Sequence, residues 1–196
     1  MNDHSNAVTL STDQGRALVR LARRTLAESF DRKLPADPDS ENALQDPQIQ
    51  QKRATFVTLT LNGNLRGCIG SLSADEALIA GVVRNVKNAA FHDFRFSPLS
   101  PDELDRVSIE VSILTDPQPL EYKDAAELVA RLRPNVDGVI LRKGGAGATF
   151  LPQVWEQLPN ASDFLSHLCK KAGLSPDAWR KGNLTVQTYQ VQYFHE

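Results

Sequence analysis

Cysteine is nearly absent from this chain: two occur in 196 residues, Cys68 and Cys169. A small secreted scaffold that depends on disulfides carries more of them at closer spacing, so both are read as reduced thiols of a cytoplasmic protein. No apolar run approaches the roughly 18 residues of a membrane-spanning helix. The opening Met1-Asn2-Asp3-His4-Ser5 lacks the charged-then-apolar pattern of a secretory signal. Net charge is missing too: 22 basic against 24 acidic residues leave −2 at pH 7, which argues against a broad electrostatic surface for nucleic acid. His4, His167 and His195 do not group with cysteines or acids at ligand spacing, so no metal site is expected; no cofactor is expected either.

What is present is ordinary for a globular protein, with 41% hydrophobic and 23% charged residues. At this length folding should bury roughly 70% of the unfolded surface, enough for a core without covalent staples. One α+β domain over residues 10–196, following a flexible segment 1–9, is the expectation.

Ala17, Leu18, Leu21, Ala22, Thr25 and Leu26 recur at three and four, predicting a first helix after Ser11 or Thr12. Pro35, Asp37, Pro38, Asp39 and Ser40 then mark a polar loop of about twenty residues, long for a compact domain. Phe56 to Leu61 is β-branched and apolar, Asn62-Gly63 is a hairpin turn, and Leu65 to Ile69 returns. Ser73 with Glu76 reads as a capping box opening a helix from Ala74 to Phe91, and Ser100 with Glu103 repeats the device. Val107 to Leu114 alternates as a strand, with Ile109, Val111 and Ile113 on one face and Ser108, Glu110 and Ser112 on the other. Ala125 to Leu132 is a helix, Val139 to Leu141 a strand, Gly144 to Gly147 a turn and Ala148 to Leu151 its return. Asp163 to Ala172 is a helix closed by Gly173, and Thr185 to Phe194 a final strand. Hairpins joined by helices predict a mainly antiparallel mixed sheet with helices packed on it.

Leu65-Arg66-Gly67-Cys68-Ile69-Gly70 is the unusual stretch. Glycine weakens a strand and packs nothing, so two of them mark a bulge, a bend or the close approach of another group. Regular alternation puts Arg66 and Cys68 on one face, and a nearby guanidinium favours the thiolate that nucleophilic chemistry needs. A small core cysteine in a bent strand is the competing reading. Farther on, His92, Asp93 and Arg95 stand among Phe91, Phe94 and Phe96, either as a base or anion clamp for Cys68 or as a helix end and its loop. Glu110 lines a cleft or faces solvent. The Gly144–Gly147 run lacks the Lys-Ser/Thr of a phosphate loop.

Taken in order, Leu65 to Gly70, Asp93 to Leu99, Glu110 to Leu114, Gly138 to Leu141, Thr149 to Val154 and Leu168 to Gly173 resemble the AmmeMemoRadiSam system protein A family, the AMMECR domain, over nearly the whole chain. The resemblance implies an α+β fold of two subdomains, with the signature strand facing a cleft between them. It also implies association with a Memo-like protein and a radical-SAM protein. Carried over by position are Arg66, Gly67, Cys68 and Gly70, then Asp93, Arg95 and Phe96, then Lys171, with Glu110 less firmly held by the pattern. Phe94 departs from it, standing where proline is frequent, as does Ala146, where a basic residue is common.

Three functions follow as expectations. One is a thiol-dependent accessory enzyme with Cys68 as nucleophile, acting on a small anionic or protein-bound substrate. Another is a non-catalytic binding or adaptor module using the same residues. RNA binding through Arg66, Arg95, Phe94 and Phe96 is the third, and the acidic total disfavours it.

Overall fold

The computed structural model describes residues 9–196, so the expectation for the N-terminal segment lies, apart from Thr9, outside the described residues. Backbone contacts divide the chain into two units. One runs to Leu114 and regains Gln192–Glu196; the other is Thr115–Val191.

In the first unit, α1 (Thr12–Glu28) begins where its apolar stripe begins, because Ser11 and Gln14 cap each other: Gln14 N–H donates to Ser11 Oγ at 3.2 Å and Ser11 N–H to Gln14 Oε1 at 2.7 Å. Ala17, Leu18, Leu21, Ala22, Thr25 and Leu26 are all buried. The expected long loop holds a short helix instead, α2 (Pro38–Ala43). Pro38 opens it, since a first-turn proline forfeits no helical hydrogen bond.

Strands β1 (Thr55–Leu61) and β2 (Asn64–Gly70) are joined by Asn62 and Gly63 at φ of 52° and 79°, both in the left-handed region that a two-residue hairpin turn demands. Helix α3 (Leu78–Phe91) ends as predicted but starts late. Ser73 and Glu76 cap nothing. Ser73 N–H turns to Ser71 Oγ, Glu76 pairs with Arg84 at 2.7 Å, and its carbonyl accepts from Arg53 N–H. Leu78 N–H donates to Gln51, so the stretch before α3 is held extended against residues 51–53, and tertiary pairing overrides a local capping signal. The second capping box does form, over a 3₁₀ turn at Pro101–Glu103.

Strand β3 (Val107–Leu114) completes the frame. β1 pairs antiparallel with both β2 and β3, and with the last strand, β8 (Val191–His195), the sheet order is β2-β1-β3-β8. Val57, Leu59, Ile109, Val111 and Ile113 are buried in one core with α1 and α3; each such side chain contributes roughly 1.5–3 kcal/mol. The opposite face carries Thr58, Cys68 and Glu110.

The second unit has its own sheet, ordered β4-β7-β5-β6 from β4 (Gln118–Pro119), β5 (Gly138–Lys143), β6 (Ala146–Phe150) and β7 (Thr185–Tyr189), with antiparallel pairing throughout. Helices α4 (Ala125–Arg131) and α5 (Ala161–Lys171) accompany it. Trp155 stacks on Phe164 at 3.7 Å and donates its indole N–H to the Asp137 carbonyl at 2.7 Å. The glycine turn is shorter than expected: Ala146 and Gly147 already belong to β6.

The α+β architecture with mainly antiparallel strands and packed helices is present, carried by two sheets. One correction follows: the strand expected over Thr185–Phe194 is two strands in different sheets. The break falls at Gln190, whose N–H donates to Thr115 Oγ1 and whose carbonyl accepts from Thr115 N–H, both at 2.9 Å. One alternating run therefore serves both sheets, which periodicity cannot reveal.

α3 lies so close to β2 that a Cβ on Gly67 would sit on the Ala89 carbonyl. Gly67→Ala is expected to cost about 3 kcal/mol or more, because the obstacle is helix backbone that cannot rotate away. Urea unfolding checks this against Gly145→Ala, whose added methyl meets nothing within 4 Å.

Candidate functional site on the Arg66–Gly70 strand

β2 is an edge strand, so one side of its backbone has no strand to bond. At Cys68 that side is closed by a loop. Cys68 N–H donates to Asp93 Oδ2 at 2.9 Å, and Arg95 Nη2 donates to the Cys68 carbonyl at 3.3 Å. Arg95 also binds Asp93 through Nε at 2.9 Å and Nη2 at 2.6 Å, and its own N–H meets Oδ1 at 3.2 Å. A carboxylate and a guanidinium thus stand in for the missing strand.

Because the Cys68 backbone bonds outward, Cys68 and its register partner Thr58 face each other as a closely spaced pair. The Thr58 hydroxyl lies 3.3 Å from Cys68 Sγ. Thr58 is in register with Glu110 on its other side, giving a row of thiol, hydroxyl and carboxylate across three strands. Glu110 accepts from Ser112 Oγ at 3.3 Å. Cys68 is half-buried, neither enclosed nor free in solvent.

Arg66 does not follow the predicted alternation. Leu59 pairs with Gly67 and Thr60 with Leu65, which leaves Arg66 as the extra residue of a β-bulge. Its guanidinium grips Glu103 with two bonds, at 2.7 and 3.0 Å, and reaches the Pro98 carbonyl at 3.3 Å. Among the described residues its buried Nη1 has no partner. Glu103 serves twice, since its carboxylate also accepts from Ser100 N–H at 2.9 Å. Phe96 lies beneath both cations, 5.9 Å from Arg66 and 5.4 Å from Arg95. An anion entering here has to compete with carboxylates already in place.

The close approach that the two glycines predict is made by the protein's own atoms. Ala89 occupies the space beside Gly67, and the Phe56 ring and Thr55 carbonyl occupy that beside Gly70. The protein's own atoms fill both openings. The His92 backbone N–H ends α3 on the Asn88 carbonyl at 2.8 Å; its ring is exposed and makes no hydrogen bond to Cys68 among the described residues. Lys171 belongs to the second unit, where Nζ donates to the Thr149 carbonyl at 3.0 Å and sits 5.1 Å over the Phe150 ring. Phe94 is 94% exposed although both its neighbours are pinned.

Sequence reasoning did not single out Thr58, and saw Glu103 only as a cap. Counted from Asn62-Gly63, Thr58 would pair with Gly67; the bulge at Arg66 shifts it opposite Cys68, and no local signal placed that bulge. Nothing local pointed to the pairing of Glu103 with a guanidinium 37 positions away.

The residues 19–194 match the AMMECR1 family model. The chain belongs to the AMMECR1 family. An archaeal relative from Methanothermobacter thermautotrophicus is 41% identical over 193 residues, covering 95% of this chain and 96% of that protein. A second, Mbar_A1807 from Methanosarcina barkeri, is also 41% identical, over 190 residues, covering 95% and 92%. The crystal structure of the uncharacterised protein PH0010 from Pyrococcus horikoshii superposes with a TM-score of 0.84 at 31% identity, covering 95% of this chain and 93% of that one. In this member of the family the edge of the Arg66–Gly70 strand is closed by Asp93 and Arg95. Among the described residues no helix is long and apolar enough to cross a membrane.

Electrostatics follows the pairing. The hydrogen bonds from Arg95, helped by Cys68 N–H and opposed by burial, hold Asp93 down to about 2. Glu103 is held at about 2 chiefly by Arg66, then by Ser100. Arg95 is raised, first by Asp93 and in smaller part by the sulfur of Cys68. Both carboxyls titrate lower when folded than when unfolded. Their stabilisation is therefore complete above the ordinary carboxyl range and is lost as pH falls through that range toward 2. Unfolding free energy is expected to drop between about pH 5 and 2. Asp93→Asn should cost about 3 kcal/mol at pH 7, because a cation and a buried N–H lose their carboxylate, and should flatten the acid limb. Urea titrations across that window check both.

Proposed function

We propose that this chain is a thiol-dependent accessory enzyme of the cytoplasm, with Cys68 attacking a small anionic or protein-bound substrate, and that it works beside a Memo-like protein and a radical-SAM protein. The observation that carries this reading is the Thr58 hydroxyl 3.3 Å from a half-buried Sγ. A hydrogen bond donated to sulfur stabilises the thiolate over the thiol. The Arg95 guanidinium, whose charge interacts with that sulfur, acts in the same direction. Glu110, in register with Thr58 on β3, adds a carboxylate to the same row.

Cys169 supplies an internal control. It is fully buried, and desolvation pushes its thiol up. With iodoacetamide at pH 7, Cys68 is expected to react roughly tenfold or more faster than an unstructured peptide thiol, while Cys169 stays unlabelled until the chain unfolds. Thr58→Val should slow labelling several-fold with little change in thermal midpoint. Peptide mapping after timed quenching reads both sites. Labelling no faster than the peptide, together with full cellular function of Cys68→Ser, would defeat the enzymatic reading.

A second reading, a non-catalytic adaptor, draws on a different observation. Arg66 and Arg95 are both spent on internal carboxylates, while Phe94 is held outward between pinned neighbours. Exposed, preorganised aromatics are favoured anchors for protein partners. For an adaptor, Phe94→Ser abolishes capture of the Memo-like or radical-SAM protein and Cys68→Ala does not. The RNA reading gains no support, since both cations and Phe96 are occupied with one another.

A further inference from the structure

A groove of about 670 Å³ lies within the first unit, between α1 and the segment from Leu34 to Leu44, and no signature residue lines it. That volume is within the usual range of small-molecule sites, roughly 300–1,000 Å³. Leu21 and Leu44 are buried in its floor, and Leu34, 37% exposed, stands in its wall beside Pro35 and Ala36.

One border is cationic. Arg16, Arg20 and Arg24 follow one another at intervals of four along α1 and so form one stripe. Arg20 is committed to Asp37. Its two neighbours are not tightly held: Arg16 comes only within 3.8 Å of Asp13, with both side chains over 70% exposed, and Arg24 reaches Glu41 at 3.5 Å and Glu28 at 4.0 Å. Exposed pairs of this kind are weak, so these guanidiniums exchange partners at little cost. Asp37, Glu41 and Glu196 also line the groove, Glu196 being held by Arg23. They repel a ligand of high negative charge and leave room for a single anionic head.

We propose that this groove binds a small monoanionic amphiphile, its apolar body on Leu21, Leu34 and Leu44 and its head on Arg24, with Arg16 as the second cation. The site is independent of Cys68.

Titration of the intact chain with 8-anilinonaphthalene-1-sulfonate, an apolar ring system bearing one sulfonate, tests it. The dye's fluorescence should rise to saturation at one equivalent. Ala36→Trp, which fills the groove from its exposed wall, and Arg24→Glu should each weaken binding roughly tenfold or more, while Cys68→Ser leaves it within about twofold. Dodecanoate should displace the dye, and dodecyltrimethylammonium at equal concentration should not. Circular dichroism and urea midpoints establish that each variant is folded; if Ala36→Trp is not, Leu34→Asp on the exposed wall carries the same test. Unchanged affinity in the folded groove variants, or equal displacement by the cationic amphiphile, overturns the proposal.

Discussion

The carboxylate of Asp93 accepting the backbone N–H of Cys68 is the interaction on which the signature strand depends. β2 ends its sheet, and an edge strand with open backbone groups is both poorly fixed and prone to pair with other chains. Asp93 and Arg95 close it with side chains, from a loop that α3 delivers two residues after its last turn. α3 reaches that position only because Gly67 lets the Ala89 carbonyl approach β2. The outward bonding at residue 68 in turn sets which pairs on β1 and β2 are close, and so brings Thr58 Oγ1 to the sulfur. Helix approach, edge closure and thiol placement are one linked arrangement.

Two ion pairs share Phe96 within that arrangement. Arg95 with Asp93 and Arg66 with Glu103 both lie against its ring, and the β-bulge at Arg66 is what turns its side chain to Glu103. Asp93 is almost wholly enclosed while Arg95 keeps 43% of its side chain exposed, so the pair spares the protein the cost of two fully buried charges. Members of such a network do not act additively, since removing one carboxylate frees a cation that the other pair and the ring also feel.

Much of the framework was legible because its signals are local. Ser11, the stripe from Ala17 to Leu26, Asn62-Gly63 and Gly173 each act within a few residues, and each element formed where they placed it. Failures came where a distant partner decided. Residues 51–53 took the stretch that Ser73 and Glu76 would have capped, and Thr115 broke the final strand at Gln190. The site divides in the same way. Resemblance to the family marked Asp93, Arg95 and Phe96, but neither spacing nor motif could show that both arginines are spent internally. Two glycines in a strand signal a close approach without naming what approaches; here it is a helix carbonyl and an aromatic ring, not a guest.

The two cysteines show how far environment, and not residue type, decides thiol chemistry. Cys169 sits on the apolar face of α5 among Leu165, Leu168 and Trp179, where desolvation favours the neutral thiol. Cys68 stands on a strand with a hydroxyl at its sulfur, a carboxylate one strand beyond, and a guanidinium bonded to its carbonyl. A thiol that served only as a small core hydrophobe would need the first setting and would gain nothing from the second. The row across β2, β1 and β3 is polar and half-buried, whereas the opposite face of the same strands is apolar and buried.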